Sequence, residues 1–213
     1  MKTSELIDML SVNVEVVDRG KVWRGMATAV GAGTVLAVGA VLLTLGGRAD
    51  LKDAEAYFSL AIKLVFTLGV VILALIFLTR LARPGGERRE PLGLVAMPFI
   101  GVAGLALLSL LSTPRAHWAV MIVGDQWLEC LLSIPVIAIV PFALVVWAVR
   151  RAAPTHLARA GALAGLVAGS VSATAYALHC VDDSVPFVAL WYGGTIALCT
   201  VAGAALGPRL LRW

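Results

Sequence analysis

The sequence predicts an all-α membrane bundle of six transmembrane helices with both termini in the cytoplasm. Three observations predict it. Of 213 residues, 60% are hydrophobic and only 14% charged, and the mean hydropathy is +0.94, a composition outside the range of soluble domains. Six apolar runs approach the ~20 residues a helix needs to cross ~30 Å of hydrocarbon. The basic residues are segregated between alternate connections, as the positive-inside rule requires.

The apolar runs are 25–46, 57–79, 92–111, 127–149, 160–178 and 187–206. Backbone polar groups have no water to bond in lipid, so each run is expected to be helical. The breaks carry turn chemistry: "GGRADLKDAEA", "RLARPGGERREP", "STPRAHWAVMIVGDQ", "RRAAPTH" and "HCVDDSVP". Thirteen Lys and Arg residues fall on one side: Lys2, Arg19, Lys21, Arg24, Arg80, Arg83, Arg88, Arg89, Arg150, Arg151, Arg159, Arg209 and Arg212. The opposite loops hold Arg48, Lys52 and Arg115. The expected organisation is a cytoplasmic tail over 1–24, a membrane domain over 25–207 and a short cytoplasmic tail over 208–213. No cleavable leader is expected, because the first apolar run starts some two dozen residues in and is too long for a signal-peptide core. The net charge of +4 resides mainly in short loops, so no direct contact with nucleic acid is expected.

The segment 1–24 is too short to hold a core. In "TSELIDML", Thr3 can cap a short helix with Glu5 in its first turn. Leu6, Met9 and Leu10 would form one apolar face with Ile7 at its edge, and "VNVEVV" then alternates Val12, Val14 and Val16 with polar residues. Such a segment is stable only against a partner: the membrane surface, the protein's own loops or a cytoplasmic protein.

Small residues set expectations for packing. Gly161, Gly165 and Gly169 share one face of span five, and Gly203 and Gly207 one face of span six. Such faces let backbones approach, either inside one bundle or between copies in an oligomer.

The three cysteines form no CxxC and no zinc-finger spacing. Cys199 lies roughly 18 Å into its span at 1.5 Å per residue and reads as a packing residue. Cys130 and Cys180 are expected at similar depth near the outer face, with Glu129, His179, Asp182, Asp183, Asp125 and His117 nearby. Thiolate and imidazole suit soft and borderline metals, and carboxylates can complete a site. Cys130, Cys180, His179, Asp182 and Asp183 are thus candidate metal ligands. Three readings fit the cysteine pair: a redox- or metal-responsive pair, a permanent disulfide, or two unrelated buried thiols. For His179 an interfacial role competes with ligation, and the aspartates also fit a solvated turn.

Catalysis is not expected: HExxH, GxSxG and a phosphate loop are all absent. No constitutive cofactor is expected. A small metal or solute transporter is the alternative, with Pro135 and Pro141 as possible kinks. Lys63, the clearest charge inside a span, is expected to snorkel to the outer surface.

The motifs "MKTSELIDML", "LARPG", "WLECLLSIP", "RRAAPT", "YALHCVDDSVPFVALWYG" and "LGPRLLRW" resemble the NrsF family of six-span inner-membrane anti-sigma factors, the fifth motif and the span-four cysteine motif most specifically. The resemblance implies an extracytoplasmic function sigma factor as partner, held on the cytoplasmic side by the segment before span one. Leu6, Ile7, Met9, Leu10 and Val14 are then the candidate sigma-binding residues. It also implies that Cys130 and Cys180 are the two outward cysteines through which the family responds to heavy-metal or oxidative stress, with a metal ion bound only transiently. Asp182 stands where the family commonly has Glu, a departure that keeps the charge. The expected location is a bacterial inner membrane.

Overall fold

The computed structural model describes residues 19–48, 54–82 and 92–212, together with Thr3 and Glu5. Among them, six helical segments are long and apolar enough to cross a membrane. Helix α1 is Arg19–Thr44, α2 Ala54–Leu81 and α3 Met97–Leu111. A short helix α4, Trp118–Val123, precedes α5, Trp127–Arg150. Helix α6 is Leu157–Tyr176, and α7 runs over Val185–Leu210. The six spans agree with the expected runs to within a few residues.

Helix α6 is the centre. In its most apolar stretch 78% of residues are buried, because Gly, Ala and Ser line it on every side and let α1, α2, α5 and α7 all pack against it. Its closest neighbour is the antiparallel α7. A Cβ on Gly161 would strike the Gly203 carbonyl, and one on Gly207 would lie 3.0 Å from the Gly161 Cα. Gly165 faces the Cys199 backbone, and a Cβ on Gly169 would stand 2.9 Å from the Cys199 Cβ. Of the two packing readings the structure shows the first: this glycine face is filled inside the chain by α7. Cys199 fills space there, as expected. Gly165→Val is expected to force α6 and α7 apart at a cost of about 1–3 kcal/mol or more. A lower unfolding midpoint in detergent and less protein in the membrane would report it; an unchanged midpoint would refute the close contact.

Polar groups tie the spans laterally. Thr174 of α6 bonds Thr67 of α2 at 2.9 Å, and Thr67 also donates to the Lys63 carbonyl at 2.9 Å. Helix α1 lies against α5 where Gly33 meets Pro141, a Cβ there standing 3.2 Å from the proline Cα. Both Pro135 and Pro141 sit within the continuous α5.

The bundle has two ends. The start of α1 adjoins the end of α5, with Val22, Gly25, Trp147 and Arg151 lining one groove, and the start of α6 meets the end of α7. At the other end the termini of α1 and α6 converge with the starts of α2, α5 and α7. This second end holds Cys130 and Cys180 and is called the thiol end below.

Two features depart from the expected pattern. The stretch read as a plain connection before span four contains α4, whose six residues (WAVMIV) are too few to span. Instead α4 is pinned across the thiol end: Ser184 donates to the Met121 carbonyl, and the Trp191 indole N–H donates to Ile122 O at 2.9 Å. The second feature is a π-turn at Val188–Tyr192 within α7. Such turns often accompany functional sites, and this one lies beside the cysteines.

Candidate functional site

The thiol end is built around the loop between α6 and α7. Helix α6 closes at Ala177, and the Cys180 N–H still reaches back to Tyr176 O at 3.0 Å. The loop is then stitched to the bundle on two sides.

On one side it joins the start of α5. Asp182 Oδ2 accepts from the backbone N–H groups of Asp125 at 3.1 Å and Gln126 at 2.7 Å. These donors at a helix N-terminus have no partner within the helix, and a carboxylate there also suits the helix dipole. The Gln126 side-chain oxygen accepts from Val181 N–H at 3.2 Å. Gln126 thus grips both residues that follow Cys180, while its own carbonyl accepts from Cys130 N–H at 2.9 Å. Both cysteines are part of the buried core at this end. Gly124 makes the approach possible. Its φ is +62°, and a Cβ would lie 2.6 Å from the Phe187 ring and 2.8 Å from Asp182 Oδ2.

On the other side the loop joins α1 and α2. Arg48 N–H donates to Leu178 O at 3.0 Å, and His179 Nδ1 donates to Gly46 O at 3.1 Å. The Arg48 guanidinium grips both Asp183 oxygens, one at 2.8 Å, and donates to Cys180 O at 3.3 Å. The Lys63 ammonium takes the same two acceptors, Asp183 Oδ1 and Cys180 O, each at 2.9 Å.

This cluster corrects two expectations. Lys63 does not snorkel; its side chain is 0% exposed. A carboxylate and a loop carbonyl inside the bundle satisfy the ammonium directly, which a long reach to solvent would not improve. Asp183 is not simply a solvated turn residue: its carboxylate, 29% exposed, is held between two buried cations. Removing Asp183 would leave both buried cations without their shared carboxylate, whereas removing either cation leaves the other still paired with it.

Burial pushes the Asp183 carboxyl up, but hydrogen bonds and charge from Arg48 and Lys63 outweigh it and hold it below the usual carboxylate range. A depressed carboxylate contributes stability that is full above its unfolded pKa and lost as pH falls through the lower folded value. The clamp therefore persists at neutral and mildly acidic pH. Burial pushes the Cys180 thiol up, and the Lys63 charge only partly opposes this. At rest Cys180 is a protonated, slow nucleophile.

Cys130 and Cys180 are each 0% exposed, and all three cysteines are free thiols. The five candidate metal ligands do not form one set: His179 is turned to Gly46, Asp183 to the cations and Asp182 to the start of α5. Among the described residues no three His, Cys, Asp or Glu side chains converge to hold a metal ion. The two thiols remain together, beside buried Tyr176 and Tyr192, whose rings lie 6.1 Å apart. Among the described residues the hydroxyls of Ser172 and Tyr176 have no hydrogen-bond partner, while the Tyr192 hydroxyl faces the Cys180 thiol. Leu6, Ile7, Met9, Leu10 and Val14 lie outside the described residues.

Sequence reasoning missed Arg48, Gln126 and Gly124. It noticed Lys63 but gave it the wrong environment, although an ionisable residue inside a span is by default a site residue. Asp182→Ala is expected to remove both bonds to the α5 start, about 1 kcal/mol in cap energy, and to open the loop. Faster alkylation of Cys180 would report that opening; an unchanged rate would show that Asp182 does not seal the thiol.

Fold and site together define a polytopic α-helical membrane protein with a sealed thiol pair and a buried ion cluster at one end. The family model described as "Negative regulator of sigma F" (NrsF) matches residues 10–213. The chain is 34% identical over 215 residues to the anti-sigma-F factor NrsF of Caulobacter vibrioides and 31% identical over 213 residues to the probable anti-sigma-F factor NrsF of Azospira oryzae; each alignment covers 100% of both chains. The chain belongs to the NrsF family. No solved structure matches it significantly.

Proposed function

We propose that the protein is a membrane-bound anti-sigma factor that holds an extracytoplasmic function sigma factor and releases it when Cys130 and Cys180 engage a heavy-metal ion or an oxidant. Membership of a family of negative regulators of sigma F supports the first half. The observation that carries the second is that the buried Cys130 and Cys180 sit on α5 and the α6–α7 loop, two segments that Gln126 joins through the backbone N–H groups of Cys130 and Val181. The described basic residues Arg24, Arg80, Arg150, Arg151, Arg159 and Arg209 fall at helix ends opposite the thiols, which supports the reading that the thiol end faces out from a bacterial inner membrane with both termini in the cytoplasm.

The chemistry at the pair balances in either mode. A soft metal ion displaces two thiol protons and forms two metal–sulfur bonds. An oxidant takes two electrons and two protons from the thiols as one S–S bond forms. Each bonds α5 to the α6–α7 loop more tightly than in the resting state. The sigma factor is held at the opposite end by the segment before α1, with Leu6, Ile7, Met9, Leu10 and Val14 as its apolar contacts. The signal shifts the bundle between two states that hold the partner with different affinity. A tenfold release needs only about 1.4 kcal/mol of coupling.

Affinity purification of the full-length chain from bacterial membranes tests the reading. The expected result is a sigma factor in the eluate at rest, depleted after exposure to metal or oxidant. Metal uptake by the chain in liposomes, with no sigma factor retained, would overturn it in favour of a transporter.

A further inference from the structure

The thiol end and the start of α1 lie at opposite ends of the bundle, so a thiol signal needs a route between them. We propose that Arg48 is the positioning residue that supplies it, locking the α1–α2 and α6–α7 loops into one body so that displacing Cys180 displaces α1. This deepens the sensing role proposed above and rests on it.

Three attachments carry the inference, and they bracket Cys180. Arg48 N–H holds Leu178 O at 3.0 Å on one side of it. His179 Nδ1 holds Gly46 O at 3.1 Å next to it. The guanidinium holds Asp183 beyond it and the Cys180 carbonyl itself at 3.3 Å. Lys63 ties the same carbonyl and carboxylate to α2.

There is little slack between Arg48 and α1. The helix closes toward Gly46, whose N–H reaches Val41 O at 3.1 Å and whose φ is +83°, a left-handed position that glycine takes without strain. Arg48 follows two residues later and is 6% exposed. Its guanidinium has Asp183 and the Cys180 carbonyl as acceptors at this position, and a buried cation that leaves such partners must be rehydrated, so Arg48 stays tied to the loop that carries Cys180. From there α1 runs 26 residues to Arg19, roughly 39 Å at 1.5 Å per residue. On its far side the same loop is gripped by α5 through Gln126 and Asp182. A new bond between Cys180 and Cys130 draws the loop toward α5, and α1 follows through Arg48.

The test uses full-length wild type, Arg48→Gln and Arg48→Lys in lipid nanodiscs, with a mercurial thiol reagent as probe. Two readouts are taken: hydrogen exchange at residues 44–48, and retention of the co-purified sigma factor. In wild type the reagent is expected to change exchange at 44–48 and to release the partner. In Arg48→Gln the thiols should react to the same extent, but the exchange change should vanish and release should fall at least tenfold. Arg48→Lys, which keeps a cation near Asp183, should restore part of both, as a merely bulk-filling side chain would not. Should Arg48→Gln fail to accumulate, the triple variant R48M/K63M/D183L removes the whole cluster's charge together and carries the same expectation. Wild-type exchange and release in either uncharged variant would overturn the inference. An exchange change in wild type without sigma release would instead overturn the proposed function and leave the coupling standing.

Discussion

Replacing Cys130 and Cys180 together by serine is expected to leave repression intact and abolish the response to metal and oxidant. The substitution is nearly isosteric, and it leaves untouched the contacts that shape the site. Gln126 still holds Val181 and Asp182 through backbone groups, and Arg48 and Lys63 still hold Asp183. A serine hydroxyl in place of the Cys180 thiol has an acceptor nearby, since Cys180 Sγ lies 3.9 Å from the Asp182 carbonyl. The chemistry changes completely: a hydroxyl is a hard, weakly acidic donor that neither binds soft metals like a thiolate nor forms a disulfide. Target transcription should stay at its resting level under inducer while the protein remains in the membrane. A double variant that still responds as wild type does would remove the sensing role.

Deleting residues 1–20 is expected to have the opposite effect, constitutive release of the sigma factor to the level seen without the protein. The contacts that hold α1 in place start beyond the deletion: Val22 and Met26 pack on the core, and Gly33 meets Pro141. The membrane domain should therefore fold and accumulate. The deletion removes Leu6, Ile7, Met9, Leu10 and Val14, an apolar set too small to fold except against a partner. High target transcription with normal membrane abundance is the expected result. Continued repression would place the partner's binding surface on the arginine-bearing loops around residues 80–91 and 149–157.

Much of the membrane domain was legible because the bilayer imposes a length and forbids unpaired backbone, so ~20 apolar residues read as a span without tertiary knowledge. The glycines of α6 and α7 were legible as a close-packing face; which partner filled it was not, because spacing alone does not distinguish an intramolecular helix from a second copy. The shared depth of Cys130 and Cys180 followed from their places near span ends. Helix α4 escaped because six apolar residues carry no decisive period. The ion cluster escaped for a different reason. Arg48, Lys63 and Asp183 are separated by more than a hundred residues across the clamp, and no local pattern announces such a pairing. Without Asp183 as partner, snorkelling was the cheapest fate for Lys63; with it, burial costs less. His179 and Asp182 drew attention as candidate ligands because of their chemistry, yet their geometry makes them struts, one to Gly46 and one to α5.

The central claim is that engagement of the thiol pair loosens the hold on a sigma factor. The most direct test is the amount of sigma factor retained by the purified full-length chain in nanodiscs, before and after the two thiols are modified. The C130S/C180S variant is measured in parallel. The account predicts stable retention at rest, at least tenfold loss from wild type on modification and no loss from the variant. Wild-type protein that keeps its sigma factor with both thiols fully modified would contradict it.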